Sequence, residues 1–262
     1  MYEDIKPNWQ LDFEHYEKLL KEREFFTSTE LRERFIIIYK KIYLYTTLTN
    51  SITALDSRSK IENFFNECKN NLIISYDLSN VNYINASKQI LRSAIESFFR
   101  LSLAISKYIE YKENKKNGIF SATTSLLNLK RMQDSHKVGA LTRYVINYYK
   151  DTPVENLYLD LYSLYSDLSG VVHVNKKENF TPHEYLSDYV KFNQAVIESH
   201  LVELEMVINN IIQVAYYFSF SLREERVEIK KRDLAEFEST LDDTSYLDLI
   251  ESSFETELQG EL

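Results

Sequence analysis

Apolar residues recur at three- and four-residue intervals through most of this chain, the spacing that puts them on one face of an α-helix. The pattern predicts about eight helices. The first covers Trp9–Phe25. The second opens at a Ser28-Thr29-Glu30 cap and runs to about Thr49, with Leu31, Phe35, Ile38, Ile42 and Tyr45 as its core stripe. The third runs from about Ser57 to Asp77 and carries Ile61, Phe64, Phe65 and Cys68. A fourth starts near Asn85, a candidate N-cap, and continues to Asn114 with Gly118 beyond it. Residues 119–134 read as a short helix that breaks around Asp134-Ser135, and His136–Lys150 as the next. Thr152-Pro153-Val154-Glu155 and Thr181-Pro182-His183-Glu184 share one start signal: a capping hydroxyl, proline at the first helical position and glutamate at the third. The first should open a helix to about Val174, the second a long helix to about Arg226.

Composition strengthens the all-α reading. Four glycines and three prolines in 262 residues are too few for the tight turns a sheet-rich fold requires. The single cysteine, Cys68, excludes an internal disulfide and any zinc site built on several cysteines. The N-terminus lacks a basic segment followed by an apolar one, so no signal peptide is expected, and the chain reads as cytoplasmic. The most apolar stretch, Leu204–Phe220, includes Glu205, Asn209, Asn210 and Gln213 and reads as a buried helix rather than a membrane span. The net charge of −9 is concentrated at one end: Asp233–Leu262 holds ten acidic residues and no Lys or Arg. The rest is near neutral, so net charge makes no case for general nucleic-acid affinity. Residues 1–229 are therefore expected to form one helical bundle and 230–262 an acidic tail. That tail is either a disordered solubilising segment or, through Leu247, Ile250, Phe254 and Leu258 on one helical face, a segment that folds onto a partner or back onto the body. Residues 233–262 are expected to be dispensable for folding.

Phosphate loops, H-E-x-x-H and G-x-S-x-G motifs are absent. His15, His136, His173 and His200 lie far apart in sequence, and His183 has only Glu184 beside it. No metal or cofactor is called for. Two segments are richer. In Leu91-Arg92-Ser93-Ala94-Ile95-Glu96-Ser97-Phe98-Phe99-Arg100-Leu101, the residues Arg92, Glu96 and Arg100 follow one another at four-residue spacing, so they share a face where Glu96 could bridge both arginines. That face is either a surface charge ladder or a polar seam against another helix. In Leu157–Asn175, the residues Ser166, Ser169 and His173 form a polar stripe beside the apolar Leu157, Leu161, Leu164, Leu168 and Val171. Gly170, inside that helix, suggests close approach of another backbone.

Together these segments resemble the HEPN superfamily of helical bundles, over roughly residues 84–220. The resemblance implies a homodimer, a role in bacterial anti-phage defence or a toxin–antitoxin system, and metal-independent RNA cleavage or RNA and nucleotide binding. His173 would be the general acid/base, with an arginine on the scissile phosphate. That family's signature is Arg, four to six residues, then His. Positions 166–168 are Ser, Asp and Leu, so Arg92 or Arg100 would have to take the arginine's place, giving His173, Arg92, Glu96 and Arg100 as the candidate site. A literal match, Arg131-Met132-Gln133-Asp134-Ser135-His136, has a spacing that chance readily produces and reads equally as a polar turn capped by Ser135. The alternative from another class is a non-catalytic interaction module that binds a protein partner through exposed aromatic residues and the acidic tail. No membrane partner is expected.

Overall fold

The computed structural model describes residues 29–53, 60–172, 193–222, 235, 238–241 and 244–260. The helix expected at Trp9–Phe25, the Thr181-Pro182-His183-Glu184 start, and His15, His173 and His183 lie outside them. The described residues form eight α-helices and no strand: α1 (Thr29–Thr53), α2 (Ile61–Asn80), α3 (Ile84–Lys116), α4 (Thr124–Gln133), α5 (Val138–Tyr148), α6 (Glu155–Val172), α7 (Gln194–Ser221) and α8 (Ser245–Gly260). None of them is long and apolar enough to cross a membrane.

The order of packing follows from the connections. Three residues separate α2 from α3, too few for anything but an antiparallel hairpin. Asn82 makes the reversal possible by adopting φ 62°, a left-handed conformation that asparagine tolerates better than most residues. Farther along, α3 packs in turn against α4, α5, α6 and α7, while α1 lies across α2 and α7. The C-terminal end of α3 is closed by Gly118 at φ 73° and a bond from the Ile119 amide to the Asn114 carbonyl (2.8 Å).

The expected stripes are the core. Leu31, Phe35, Ile38, Ile42 and Tyr45 of α1 are buried, as are Leu91, Ala94, Ile95, Phe98, Leu101 and Ile105 of α3 and Leu157, Leu161 and Leu168 of α6. Serines inside α3 are buried without cost because Ser97, Ser102 and Ser106 each donate to the carbonyl four residues back. Much of the tyrosine content is structural too. Tyr149 and Tyr158 stack with ring centres 4.5 Å apart, and Tyr158 lies against Phe98 and Phe99. Cys68 is buried beside Tyr45, and burial pushes its thiol up to about 12, which removes it as a nucleophile.

Several boundaries differ from the sequence reading. The fourth helix begins at Ile84, and its cap position, Tyr83, contributes no side-chain bond. Glu155 sends its carboxylate to the Asp151 amide (2.9 Å), and the Thr152 hydroxyl donates back to Tyr149, so α6 starts at Glu155 rather than at Pro153. A continuous helix to Arg226 does not form. Asn193 is extended and caps α7 by accepting from the Val196 amide, and α7 ends at Ser221. Among the described residues, a Cβ built on Gly170 meets nothing within 4 Å, so the expected close approach of another backbone is not found there.

The acidic C-terminal segment is not wholly a solvated tail. Leu247 and Ile250 of α8 are buried against α7, and Phe254 stacks on Phe220 (5.6 Å between ring centres, 17° between planes). The Tyr216 hydroxyl donates to Glu251, and burial together with that carboxylate holds the phenol in its protonated form. Of the two readings of this segment, folding back onto the body describes Ser245–Phe254. The expected dispensability of residues 233–262 for folding is withdrawn, because Leu247 and Ile250 are buried.

Candidate functional site

The four-residue repeat on α3 is longer than Arg92, Glu96 and Arg100, because Lys88 precedes them at the same spacing. It forms a polar seam whose three cations each meet a different helix. Lys88 Nζ lies 2.8 Å from Glu203 of α7. Arg92 reaches α6, where its Nε donates to Ser169 Oγ (2.9 Å), one Nη donates to the Tyr165 hydroxyl, and its guanidinium carbon lies 4.7 Å from the centre of the Tyr165 ring. Arg100 points elsewhere. It donates to the Gln133 and Ser135 carbonyls (2.6 and 2.9 Å) at the C-terminal end of α4, where a cation also complements the helix dipole.

Glu96 therefore does not bridge both arginines. It accepts from Arg100 alone, at 2.8 Å. Arg92 meets Ser169, whereas Arg100 and Glu96 belong to a structural clamp on the α4–α5 junction. His173 lies outside the described residues. Arg131 and His136 are both exposed, and Ser135 accepts from the Lys137 amide (3.1 Å) without being the cap of α5.

Charge along the seam is unevenly matched. Lys88 has Glu203 and Arg100 has Glu96, whereas half-buried Arg92 has no carboxylate partner among the described residues. Its partners are neutral hydroxyls and a π-face. A guanidinium fork with neutral partners suits the oxygens of a phosphate.

A second cluster escaped the sequence reading. His200 of α7 is fully buried, with Nε2 2.6 Å from Ser87 Oγ and Nδ1 3.4 Å from Glu203. Ser75 and Ser79 of α2 complete it, with hydroxyls 2.8 and 2.9 Å from Ser87 Oγ. The carboxylate favours the Nδ1–H tautomer, which leaves Nε2 to accept from a hydroxyl. Ser87, His200 and Glu203 thus follow the nucleophile, base and orienting-acid order of hydrolases. Ser87 and His200 have zero exposure, however, so no substrate reaches the hydroxyl. The cluster joins α2, α3 and α7 in the core. The signals for it were Ser75 and Ser79 at four-residue spacing and His200 three residues before Glu203.

Burial depresses the His200 pKa, with Lys88 adding to the effect and Glu203 opposing it. Folding therefore favours the neutral ring. Above pH of about 6.5, the ordinary histidine value, the ring is neutral in both states and its contribution to stability is complete. Below that pH the unfolded chain takes up a proton that the folded one refuses, and stability falls. The urea midpoint should drop between pH 7.5 and 5.5, and His200→Gln should remove most of that slope. An equal slope in the variant would assign it to other groups.

Among the described residues no group of three or more His, Cys, Asp or Glu is placed to hold a metal ion. Fold and seam together define an all-α helical bundle in which, among the described residues, Arg92 meets a helix–helix junction without a carboxylate partner. Compared with protein-family models, curated proteins and solved structures, the chain shows no match.

Proposed function

We propose that this chain is an RNA-binding helical bundle of HEPN-like type, serving a bacterial anti-phage defence or toxin–antitoxin system, in which Arg92 holds a backbone phosphate. The observation that supports it is the Arg92 guanidinium, half-buried among neutral partners between α3 and α6. Buried charges are ordinarily paired, and an arginine kept without a carboxylate is suited to an anion that arrives from outside. Ser169, its partner, precedes His173 by four residues. The binding form of the reading needs Arg92; the metal-independent ribonuclease form also needs His173 as proton carrier. A homodimer belongs to the same proposal.

The test separates binding from folding. Arg92→Ala should weaken binding of a fluorescently labelled RNA oligonucleotide at least tenfold while the melting temperature stays within a few degrees. Arg92→Lys should recover only part of the affinity, because lysine keeps the charge but loses the fork. His173→Ala should spare binding and abolish any cleavage seen on a gel. An Arg92→Ala protein that binds RNA as wild type does would eliminate the proposal in favour of the protein-interaction module.

A further inference from the structure

Residues 124–150, which hold α4 and α5, reverse the charge of the molecule. They carry Lys130, Arg131, Lys137, Arg143 and Lys150 against a single acid, Asp134, a formal charge of +4 where the whole chain has −9; the remainder is thus at −9 − 4 = −13. All five cations are exposed, and none has an ion-pair partner among the described residues. The nearby acids are largely occupied. Asp134 is bound by Lys60 at 2.6 Å, which holds its carboxyl below the usual range. Glu110 of α3 accepts from the Thr123 and Ser125 hydroxyls (3.0 and 2.6 Å). Glu113 and Asp151, the latter directly after Lys150, are left as the exposed acids beside it.

Aromatic rings lie among these charges. Tyr144 and Tyr148 of α5 stack at 6.3 Å and 28°, and Tyr148 is 37% exposed. Burial and the Glu110 carboxylate raise the Tyr144 phenol and Arg131 partly offsets them, so Glu110 of α3 and Arg131 of α4 both lie near the aromatic face of α5. Unpaired cations beside exposed rings are what single-stranded nucleic acid requires: the cations follow the phosphates and the rings stack on bases.

We infer that the exposed face of α4 and α5, with Lys130, Arg131, Arg143 and Lys150 as phosphate contacts and Tyr148 as a stacking platform, binds single-stranded RNA as a second site apart from Arg92. The inference rests on the reading of the chain as an RNA-binding protein but uses none of the Arg92 contacts. The reason for RNA over an anionic membrane is distribution. The cations extend along two helices beside stacked tyrosines, whereas the exposed apolar side chains nearby, Phe120 (81%) in the loop before α4 and Leu127 (55%) on α4, are few beside five cations.

The experiment measures anisotropy of a fluorescein-labelled twelve-residue oligouridine, titrated with the full chain at 50 and 200 mM NaCl. Lys130→Glu/Arg131→Glu and, separately, Arg143→Glu/Lys150→Glu should each weaken binding at least tenfold and flatten the salt dependence. Tyr148→Ala should weaken it severalfold with the salt dependence retained. The charge-reversal positions are exposed, so melting temperatures should hold, and agreement between the two pairs guards against misfolding of either. Affinity unchanged in both pairs overturns the face. Should Arg92→Ala alone abolish binding, the phosphate role of Arg92 survives and this face does not. The reverse result keeps the face and removes Arg92. No binding of the wild-type chain at 50 mM overturns both. Co-sedimentation with phosphatidylserine vesicles that is lost in Phe120→Asp, with RNA affinity indifferent to the charge reversals, would replace RNA by a membrane surface.

Discussion

Glu205→Gln is expected to cost about 3–5 kcal/mol of unfolding free energy, the penalty for breaking a buried ion pair from one side. Lys41 of α1 has a side chain only 1% exposed, and its Nζ lies 2.6 Å from Glu205 Oε1 of α7. Arg34 supplies a second contact to the same carboxylate at 3.1 Å but is 39% exposed and keeps access to water. With glutamine at 205, the Lys41 ammonium remains in the core facing an amide. Deprotonating it or pulling it into solvent both carry a cost, and both loosen α1 from α7. Replacing the pair together, Lys41→Met with Glu205→Leu, should recover most or all of the loss, since a buried pair exchanged for apolar groups of similar size is often neutral or better. Urea unfolding of the three proteins checks this. A cost below about 1 kcal/mol for Glu205→Gln would mean that water reaches Lys41.

Ending the chain at residue 243 should lower stability by about 3 kcal/mol, a shift of roughly 6–12 °C in melting temperature for a chain of this size. The estimate takes Leu247 and Ile250 as fully buried side chains, worth about 1.5–3 kcal/mol each, and sets the ordering of α8 against part of that gain. Loss of α8 also uncovers Tyr217 and Phe220 and leaves Tyr216 without Glu251. Ile250→Asp in the full chain should reproduce most of the loss, because it places a charge in the same contact. An unchanged melt on truncation would restore the reading of this segment as a solvated tail.

The helices were legible because each buries an apolar stripe at helical spacing, and the residues of those stripes are the residues of the core. Ends were less legible. Tyr83 and Lys137 cap without a side-chain bond, so no residue type betrays them, and Asn193 was masked by the stronger Thr181-Pro182 signal upstream. For the site, periodicity sufficed to place Arg92 on the helix face that meets Ser169. It could not show that Arg100 turns to the end of α4, because a side chain of that length reaches either neighbour. Buried polar groups were the least visible. Lys41 and His200 look like surface residues in sequence, and only the partner brought from a distant helix, Glu205 or Ser87, makes their burial possible.

Helix α3 spans 33 residues, about 50 Å at the rise of an α-helix. Arg92 sits near one end, and Glu110, which ties down the start of α4, sits eighteen residues farther along the same rod. Their separation of about 27 Å is set by one unbroken run of backbone hydrogen bonds rather than by a hinge or a loop. The rod therefore fixes how far apart its two ends can act. Under the proposed two-site reading, a mononucleotide would be too short to reach from Arg92 to the α4–α5 face, and only an RNA long enough to cross that distance would be held at both.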